Sequence, residues 1–431
     1  MNRREFAEPV SGSGGPPRSV AVVGASHAAV HLADRLRLGG YTGALTLITD
    51  EPHLPYQRPP LSKAWLKGAA VPDSLVLRAA DHYVGNGIEL LRGTAVHHID
   101  RESGGVVVHV CDSDGEHSTR AFDRLVLATG ARARRLDIPG SGHRDVLVLR
   151  ELDHAQRMAE RVGAGPVVVI GGGFIGLEVA ATLRGLGTDV TVVEAGPQLM
   201  GRSVGPGTAE FLLAAHHEMG VDVLLGATPT EFVVDGDRIR AVRLADGRQI
   251  PAASVIVGVG AEPRTELAEQ LGLECERGVV VDEHCVTSDG RILAIGDCTV
   301  QESRGGGRVR LESVDNATEQ ANIAAATLLG SVVPDRPCPW FWSDQGPWKL
   351  QIVGLVKTHT DTVVRTDPSK PSRSVALYFE DDVLVAAECV NAPADFVALR
   401  SALARGFRPS REMLADTSVP LKKLLSAVRS A

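Results

Sequence analysis

The feature that most constrains the fold is a glycine motif between a strand-like segment and a helix-like segment. Residues 166–170 are an uninterrupted apolar run, which is typical of a strand buried on both faces of a parallel sheet. Gly171, Gly173 and Gly176 follow with Gly-x-Gly-x-x-Gly spacing. Here the first glycine permits a tight turn, the second lets the backbone approach a pyrophosphate, and the third lets the helix pack on the sheet. The segment therefore predicts a β-α-β unit that binds a dinucleotide at its helix N-terminus.

The residue after the next predicted strand bears on which dinucleotide is bound. Glu194 directly follows residues 189–193, which form that strand. A carboxylate there accepts hydrogen bonds from the adenosine ribose and would repel the additional phosphate of NADP, so we expect NAD. Phe174 and Ile175, which lie between the glycines, are further candidates for contacts with this cofactor. The alternative is a glycine-rich turn that holds no ligand.

A second unit of the same type lies near the N-terminus of the chain. Gly24 follows a short apolar strand, but Ser26 and Ala29 replace the second and third glycines. Both replacements are small, so the backbone can still approach a phosphate. Asp50 or Glu51 ends the second strand of this unit and could hold a ribose. Two dinucleotide sites on one chain indicate a relay between two cofactors, and we expect FAD in the first and NAD in the second.

Strands that stop at a glycine supply a third signal. An apolar strand in residues 292–297 ends in Gly296 and Asp297, which places a carboxylate at the carboxyl edge of a parallel sheet, where ligands bind. In a flavin site such an aspartate can hydrogen-bond the ribityl chain, and the alternative is an N-cap for the next helix. The same strand pattern adds four further candidates, Ala128, Thr129, Gly130 and Gly260.

The length and composition of the chain limit its class. With 431 residues it is too long for one hydrophobic core, and its formal net charge of -8 disfavours a nucleic-acid-binding protein. No apolar stretch is long enough for a membrane span, and residues 1–18 lack the apolar core of a signal peptide. We therefore expect a cytoplasmic protein with a flexible leader at residues 1–18, no membrane span and no nucleic-acid partner.

The six cysteines are scattered, and no two of them are spaced as Cys-x-x-Cys. This spacing disfavours a zinc site, an iron–sulfur cluster and a dithiol redox centre in the chain. We therefore expect no metal and interpret the cysteines as buried free thiols in a reducing compartment.

Five segments together resemble one family of bacterial flavoproteins. They are residues 55–63, 125–130, 171–181, 311–314 and 340–345. From Val20 to beyond Pro420 the chain is similar to the FAD- and NADH-dependent ferredoxin reductases of the putidaredoxin reductase and Rieske dioxygenase reductase type, within the pyridine nucleotide–disulfide oxidoreductase superfamily. The last two segments are quite specific, because disulfide reductases use this region for dimerisation. Their presence favours a monomer.

The resemblance implies particular contacts with FAD. Ala28 and Asp50 would meet its pyrophosphate and ribose, Val96 its adenine through the backbone, Asp297 the ribityl chain or the pyrophosphate, and Val314 the pyrimidine edge of the flavin. Lys63 would lie beside the isoalloxazine, and Arg150 would lie near it at a domain junction. The other candidates for cofactor contacts are His27, Arg58, Ser313 and Trp342. For Trp342, a place in the docking face or in plain core packing is the alternative.

The motifs and the resemblance predict an α/β fold with two Rossmann-like, three-layer ββα dinucleotide-binding domains and a C-terminal α+β domain. The expected boundaries are a discontinuous FAD-binding domain at 19–145 and 263–333, an NAD-binding domain at 146–262, and a C-terminal domain at 334–431. Four apolar segments between Leu350 and Cys389 predict an antiparallel sheet in the C-terminal domain.

Lys63 and Glu178 are the candidate catalytic residues. Hydride transfer from a nicotinamide to a flavin requires correct positioning rather than a protein acid or base. Glu178 lies two residues after Gly176 on the predicted helix. We expect it to pair with Lys63 across the domain interface, so that the pair orients and tunes the flavin. The alternative is a surface lysine and a solvated helix glutamate.

These features predict a reductase that passes electrons from NADH through FAD to a [2Fe-2S] ferredoxin, which supplies a cytochrome P450 or a Rieske-type oxygenase. The cluster would lie on the partner, and an acidic ferredoxin would require a basic surface. Candidates for that surface are Arg304, Arg308 and Arg310. The enzyme alternatives are a rubredoxin reductase or another NADH-dependent flavoprotein oxidoreductase, such as a dithiol oxidoreductase or a quinone reductase at a membrane surface. The non-enzyme alternative is a flavoprotein that signals or binds nucleic acid.

Overall fold

The computed structural model describes residues 15–161, 163, 165–303, 306–356, 361–367, 369–407 and 409–426. The chain divides into two compact units. Of the described residues, those within 1–57, 72–132 and 261–336 form unit 1, and those within 58–71, 133–260 and 337–431 form unit 2.

Unit 1 is built on a five-stranded sheet in which all neighbouring strands are parallel. Its strands in spatial order are β19 (Ile292–Ala294), β7 (Arg124–Leu127), β1 (Ser19–Val23), β2 (Ala44–Ile48) and β3 (Ile88–Leu91). Because the strands are parallel, the loops that follow their carboxyl ends meet at one edge of the sheet.

The central strand β1 shows why its sequence is apolar throughout. Val20 and Val22 are buried against the helices α1 (His27–Leu38) and α8 (Val314–Leu329). Ala21 and Val23 face the opposite layer, since successive side chains of a strand point to opposite faces. That layer contains the antiparallel strands β4 (Ala95–Glu102), β5 (Gly105–Cys111) and β6 (His117–Phe122).

The other elements of unit 1 are short. Its remaining helices are α2 (Pro72–Leu75), α3 (Ala80–Gly85), α7 (Glu266–Gln270) and a 3₁₀ helix at Gly296–Cys298. Its remaining strands are β8 (Ala131–Ala133), whose last residue falls in unit 2, β17 (Ala261–Pro263), β18 (Val279–Val281), β20 (Thr299–Glu302) and β21 (Arg308–Val309).

Unit 2 repeats the arrangement with a second parallel sheet. The strands in spatial order are β12 (Asp222–Leu225), β11 (Val190–Glu194), β10 (Val167–Ile170), β16 (Ser254–Val257) and β9 (Val146–Val148). Val167 and Val169 pack in the same core as helix α5 (Phe174–Gly185), and Val168 and Ile170 pack towards a three-stranded layer. The three strands of that layer are β13 (Pro229–Asp235), β14 (Arg238–Leu244) and β15 (Gln249–Pro251). The two ββα units that the sequence predicts are thus confirmed.

The C-terminal part of unit 2 contains a five-stranded antiparallel sheet with helices. The strands in spatial order are β22 (Trp340–Gln345), β23 (Trp348–Gly354), β26 (Val383–Val390), β25 (Ser374–Glu380) and β24 (Asp361–Thr366). The remaining helices of unit 2 are a 3₁₀ helix at Pro59–Ser62, α4 (Leu152–Arg161), α6 (Pro206–Glu218), α9 (Pro393–Ala404), α10 (Arg411–Ala415) and α11 (Leu421–Ser426). The sequence predicts four of these five strands; the fifth, β22, coincides with residues 340–345, which the sequence indicated only as a segment resembling the family. Among the described residues, no helix is both long and apolar enough to cross a membrane.

A buried carboxylate joins the C-terminal sheet to α6 within unit 2. Glu388 on β26 is 1% exposed, and it accepts hydrogen bonds from the Gly205 amide (3.0 Å), which caps α6, and from the Tyr378 hydroxyl (2.7 Å). Burial raises the pKa of Glu388, although hydrogen bonds from Thr208, Tyr378 and Gly205 oppose the shift. The site therefore tolerates the neutral acid better than an exposed glutamate would.

We expect Glu388→Gln to change the pH dependence of stability. Because the folded-state pKa is raised, the carboxyl group stabilises the fold most below its ordinary pKa of 4.5, and that contribution is lost as pH rises through the raised value. Glutamine, which is neutral at every pH, keeps an acceptor for the Gly205 amide. The wild type should therefore lose Tm relative to Glu388→Gln between pH 4 and pH 8, as measured by calorimetry. A difference in Tm that stays constant with pH would contradict this.

Candidate functional site

The predicted flavin residues of unit 1 lie at the carboxyl edge of its parallel sheet. Gly24 follows β1, Asp50 lies two residues after β2, Ala128 follows β7, and Gly296 and Asp297 come after β19. The adjoining candidates occupy helix starts or flanking positions in the same unit: Ser26 and His27 begin α1, Thr129 and Gly130 continue the turn after β7, Ser313 and Val314 begin α8, and Val96 lies on β4. The structure thus brings residues that are far apart in sequence to one edge.

Close backbone packing explains the glycine that follows β1. Gly24 has a φ of +112°, and a Cβ atom on it would lie 2.1 Å from the carbonyl oxygen of Ala128. Ser26 caps α1 with extended backbone, and its hydroxyl makes no capping hydrogen bond. Gly296 also has a positive φ, +81°, and a Cβ there would lie 3.2 Å from the Ala28 methyl group. The start of α1 therefore sits in a tight turn of small residues, as the approach of a phosphate to the backbone requires.

We expect Gly24→Ala to lower the free energy of unfolding by about 3 kcal/mol and to reduce the flavin retained on purification, because the backbone must move away from Ala128. Gly40→Ala is the matched control. Gly40 also has a positive φ (+84°), but an added Cβ would meet nothing within 4 Å, so it should cost only about 1 kcal/mol. Flavin absorbance per protein and denaturant unfolding measure both effects. Equal losses in the two variants would show that backbone strain alone is responsible.

The acidic residues after β2 already have protein partners. Asp50 forms an ion pair with Arg264 (2.9 Å), and its side chain is half-exposed. The Glu51 carboxylate accepts a hydrogen bond from the Tyr56 hydroxyl. The amide of Gly24 donates to the carbonyl of the residue before Thr49, and the amide of Gly171 donates to the carbonyl of the residue before Glu194. Thr49, rather than Asp50, therefore occupies the strand-end position that corresponds to Glu194. The ribose role of Asp50 or Glu51 stays a prediction.

A buried amide network supports the Gly296–Asp297 turn, and sequence reasoning did not find it. Gln320 on α8 is fully buried, and its Oε1 accepts from the Gly296 amide at 2.7 Å. Its Nε2 donates to Thr299 Oγ1 and to Gln301 Oε1, both at 2.9 Å. The available signal was a polar residue on the apolar face of a predicted helix. Gln320 therefore holds the turn that carries Asp297.

The N-cap of α8 is Ser313, which the sequence indicated only as a candidate for cofactor contacts. Ser313 Oγ accepts a hydrogen bond from the Asn316 amide at 3.0 Å, and Asn316 Nδ2 donates to the Leu311 carbonyl at 3.0 Å. These bonds hold the backbone at Val314, the first residue of the helix.

The glycine motif of unit 2 has the geometry of a phosphate-binding turn. Gly171 has a φ of +102°, and a Cβ on it would lie 2.5 Å from the Gly258 carbonyl oxygen. A Cβ on Gly176 would lie 2.1 Å from the Gly171 oxygen. At Gly173, in contrast, the nearest protein atom would be 4.0 Å from a Cβ. Packing within the protein therefore explains the first and third glycines, whereas the second leaves open space at the start of α5.

Glu194 is held against the turn by two backbone amides. Its Oε2 accepts from Gly172 N at 2.7 Å and its Oε1 from Gly196 N at 2.6 Å. The carboxylate is therefore oriented beside the glycine turn, where an adenosine ribose binds in such folds. Phe174 packs against Phe341 with ring centroids 4.5 Å apart, while Ile175 remains 44% exposed.

The candidate catalytic pair is formed within unit 2. Lys63 Nζ donates to Glu178 Oε2 at 2.6 Å, and Ser62 Oγ donates to the same oxygen at 2.5 Å. Glu178 is 2% exposed, so its negative charge requires compensation by the ammonium group. A second bond, from Thr182 Oγ1 to the Ser62 carbonyl (2.9 Å), fastens the lysine segment to α5. Neither residue is therefore the solvated surface group of the alternative interpretation.

Residues 58–71, which carry Lys63, pack with unit 2 although they fall within the range expected for the FAD-binding domain. Leu66 and Trp65 join the core that contains α5. The Arg58 guanidinium donates a hydrogen bond to the Arg150 carbonyl at 2.7 Å.

Gly260, another candidate for cofactor contacts, is exposed and has a φ of +103°.

Trp342 lies on the side of β22 that carries Trp340. Their rings stack with centroids 5.3 Å apart, Phe396 lies 5.6 Å from Trp340, and the Arg400 guanidinium lies 4.5 Å above the Trp340 ring. Trp342 is half-buried, so part of its ring remains available for contacts outside this cluster.

The expected basic surface is not supported. Arg308 is surrounded by the carboxylates of Glu274, Glu276 and Glu302, at 2.7, 3.0 and 3.3 Å. Arg310 pairs with Glu312 at 2.5 Å. Because the negative charges of three carboxylates exceed the positive charge of one guanidinium, the surface around Arg308 is negative and would repel an acidic partner. The third candidate, Arg304, lies outside the described residues.

The expectation of buried thiols holds for Cys285, Cys298 and Cys389, whereas Cys111, Cys275 and Cys338 are only partly buried. Three cysteines of unit 1 have raised pKa values. Burial raises the pKa of Cys285 to about 12 and that of Cys275 to about 11, and it also raises the pKa of Cys298. These thiols remain protonated at neutral pH and are poor nucleophiles, which disfavours the dithiol alternative. In the described part of the chain, no group of three or more His, Cys, Asp or Glu side chains is arranged to hold a metal ion.

Both turns fit the cofactors that the sequence predicts. Each has a glycine at positive φ packed against a neighbouring carbonyl and followed by a helix; the N-cap of α1, Ser26, makes no side-chain capping bond, and the N-cap of α5 is Gly173. Neither helix has an acidic residue in its first turn. Neither helix therefore places a carboxylate of its own first turn against a bound pyrophosphate.

Comparison with known proteins agrees with this geometry. Residues 18–321 match the family described as Pyridine nucleotide-disulphide oxidoreductase, and residues 340–425 match Reductase C-terminal. The chain is 38% identical over 419 residues to putidaredoxin reductase of Pseudomonas putida, which covers 96% of this chain and 98% of that protein. It is 39% identical over 410 residues to the ferredoxin reductase subunit of the 5,5'-dehydrodivanillate O-demethylase of a Sphingobium species, covering 94% of this chain and 98% of that protein.

A solved structure has nearly the same fold over the whole chain. The covalent putidaredoxin reductase–putidaredoxin complex contains a chain that superposes with a TM-score of 0.90 at 37% identity, covering 96% of this chain and 99% of that chain.

Proposed function

Because the chain belongs to the pyridine nucleotide-disulphide oxidoreductase family, we propose that it is an NADH-dependent ferredoxin reductase that contains FAD. Its acceptor would be a [2Fe-2S] ferredoxin, which in turn supplies a cytochrome P450 or a Rieske-type oxygenase. The observation that carries the proposal is the pair of ββα units, each with a glycine turn that fits a pyrophosphate, in a chain whose cysteines lack the Cys-x-x-Cys spacing of cluster ligands. The similarity to reductases that are named for ferredoxin partners supports the choice of acceptor.

The residues of the chain supply binding and orientation. When bound, FAD accepts a hydride from NADH and passes the electrons on singly. The amides at the start of α1, with Asp297 on its supported turn, would hold the flavin nucleotide, and those at the start of α5, with Glu194, would hold NADH. The Lys63 ammonium, fixed by Glu178, would place a positive charge beside the flavin and stabilise the negative charge that develops on reduction.

The acceptor is tested by following cytochrome c reduction with NADH, with and without added ferredoxin. We expect little reduction without ferredoxin and rapid reduction with it, since one-electron transfer needs the iron–sulfur carrier. Rubredoxin and a soluble quinone are the parallel arms. A quinone or rubredoxin rate that exceeds the ferredoxin rate would overturn the assignment, and colourless protein that cannot be reconstituted with FAD would overturn the flavoprotein reading itself.

We further propose that the protein acts as a monomer in the bacterial cytoplasm, and that it does not bind nucleic acid. The oxidoreductases it resembles in sequence come from bacteria, and the net charge of -8 disfavours nucleic acid. Light scattering of the FAD-loaded protein would test the monomer, and a dimer stable at micromolar concentration would contradict it.

A further inference from the structure

The two faces of β22 have different chemistry. Its odd-numbered residues Phe341, Ser343 and Gln345 contact side chains of α5, α6 and the segment between them. Ser343 and Gln345 are both fully buried, although each is polar. A buried polar pair on the edge strand of a sheet requires partners, and these partners lead to the catalytic pair.

The hydrogen bonds along this face run in one direction. Gln345 Oε1 faces His216 Nε2 at 2.9 Å, and Gln345 Nε2 lies 3.3 Å from Ser343 Oγ and 3.6 Å from Met200 Sδ. With the amide in this orientation, His216 must donate a hydrogen bond from Nε2. The Ser343 hydroxyl accepts a hydrogen bond from Gln345, so its own proton can be donated elsewhere. That proton is directed to Glu178 Oε1, 2.8 Å away.

His216, at the end of this hydrogen-bond chain that is remote from Glu178, is neutral. His216 is fully buried, and among the described residues its Nδ1 has no hydrogen-bond partner. Burial lowers the pKa of His216, although its bond to Gln345 opposes the shift. A neutral imidazole with its proton on Nε2 is the form that the geometry accommodates, so every donor in the chain points towards the carboxylate.

The two carboxylate oxygens of Glu178 thereby accept hydrogen bonds from different donors. Oε2 accepts from Lys63 and Ser62, and Oε1 accepts from Ser343. Without the Ser343 hydroxyl, a buried carboxylate oxygen would lack its donor, and the group could rotate to find another. Any rotation would move the oxygen that holds the Lys63 ammonium.

We propose that Ser343 and Gln345 are positioning residues for the Lys63–Glu178 pair. A polarised hydrogen-bond chain that starts at His216 fixes the Glu178 carboxylate, and the carboxylate fixes the ammonium. The C-terminal sheet thereby contributes to the redox site through β22, in addition to packing. The functional consequence rests on the proposed function, in which Lys63 acts on the flavin.

The test compares Ser343→Ala with Ser343→Thr, which keeps the hydroxyl, and with Gln345→Met, which keeps the length but removes the donor. Ser374→Ala is the control, because Ser374 is buried in the same sheet but lies outside this chain of hydrogen bonds. The first readout uses the FAD-free protein: acetylation of Lys63 measured by mass spectrometry against exposed Lys349. We expect Ser343→Ala and Gln345→Met to raise Lys63 labelling by about tenfold, the value of a hydrogen bond to a charged group, and Ser343→Thr and the control to match the wild type.

The second readout is stopped-flow reduction of the flavin by NADH. Ser343→Ala should slow the limiting rate by about tenfold and leave the dissociation constant for NADH unchanged, whereas a merely structural defect would change both. Wild-type labelling and rates in Ser343→Ala and Gln345→Met would overturn the inference. If Lys63→Met leaves flavin reduction unchanged while Ser343→Ala still raises labelling, the role of Lys63 in the proposed function fails and the positioning stands.

Discussion

Lys63→Met is expected to slow the reduction of the flavin by NADH by about a hundredfold, the scale of losing one preorganised electrostatic contact at a reacting centre. The same substitution should lower the free energy of unfolding by about 3–5 kcal/mol, because it leaves a buried carboxylate without its counter-ion. Glu178 is 2% exposed and lies 2.6 Å from the ammonium. Stopped-flow absorbance and denaturant unfolding measure the two effects separately.

A second substitution separates chemistry from folding. In the double variant Lys63→Met with Glu178→Gln, the buried charge is absent, and the Ser62 and Ser343 hydroxyls can still bond to the amide. We expect stability to recover largely and the rate to stay slow. Lys67→Met, which changes an exposed lysine in the same segment, is the control and should resemble the wild type. An unchanged rate in Lys63→Met would remove the lysine from the mechanism.

Glu194→Gln is expected to raise the ratio of kcat/KM for NADPH to that for NADH by about a hundredfold, because specificity against the additional phosphate depends here on a repulsive charge. The carboxylate is held in place by the amides of Gly172 and Gly196. Glutamine keeps one oxygen acceptor for those amides and removes the charge. Most of the change should lie in KM for NADPH, since the contact is remote from the hydride.

The control for this prediction is Glu210→Gln, which neutralises an exposed glutamate on α6 of the same unit. It changes the net charge equally, so a general electrostatic effect would appear in both variants. Steady-state rates with the two nucleotides at several ionic strengths provide the comparison. A ratio in Glu194→Gln that stays within twofold of the control would show that the cofactor preference lies elsewhere.

Features that depend on neighbouring residues could be predicted from the sequence. The turn at Gly171 and the acid at Glu194 each follow from local backbone geometry and short spacing. The alternation of β1 and β10 between two buried layers was also expected from their unbroken apolar runs. The two ββα units and the cofactors follow from these local patterns, whereas the family was indicated by the resemblance of five segments along the chain.

The environments of single side chains could not be predicted in this way. Arg308 was expected to belong to a basic surface, but the fold brings three glutamates around it. Gln320 carried no motif, yet it supports the turn before Asp297. In each case the partners are distant in the chain, and their approach depends on how whole elements pack.

The sequence by itself therefore determined the local structure, because the conformation of a backbone turn or a helix start depends mainly on its neighbouring residues. The pairing of Lys63 with Glu178, 115 positions away, was expected, but only the folded molecule decided that both residues lie within unit 2 and that Ser343, 165 positions from Glu178, completes the carboxylate's hydrogen bonds. The physical reason is that burial and charge compensation are properties of three-dimensional proximity, which the spacing of residues does not encode.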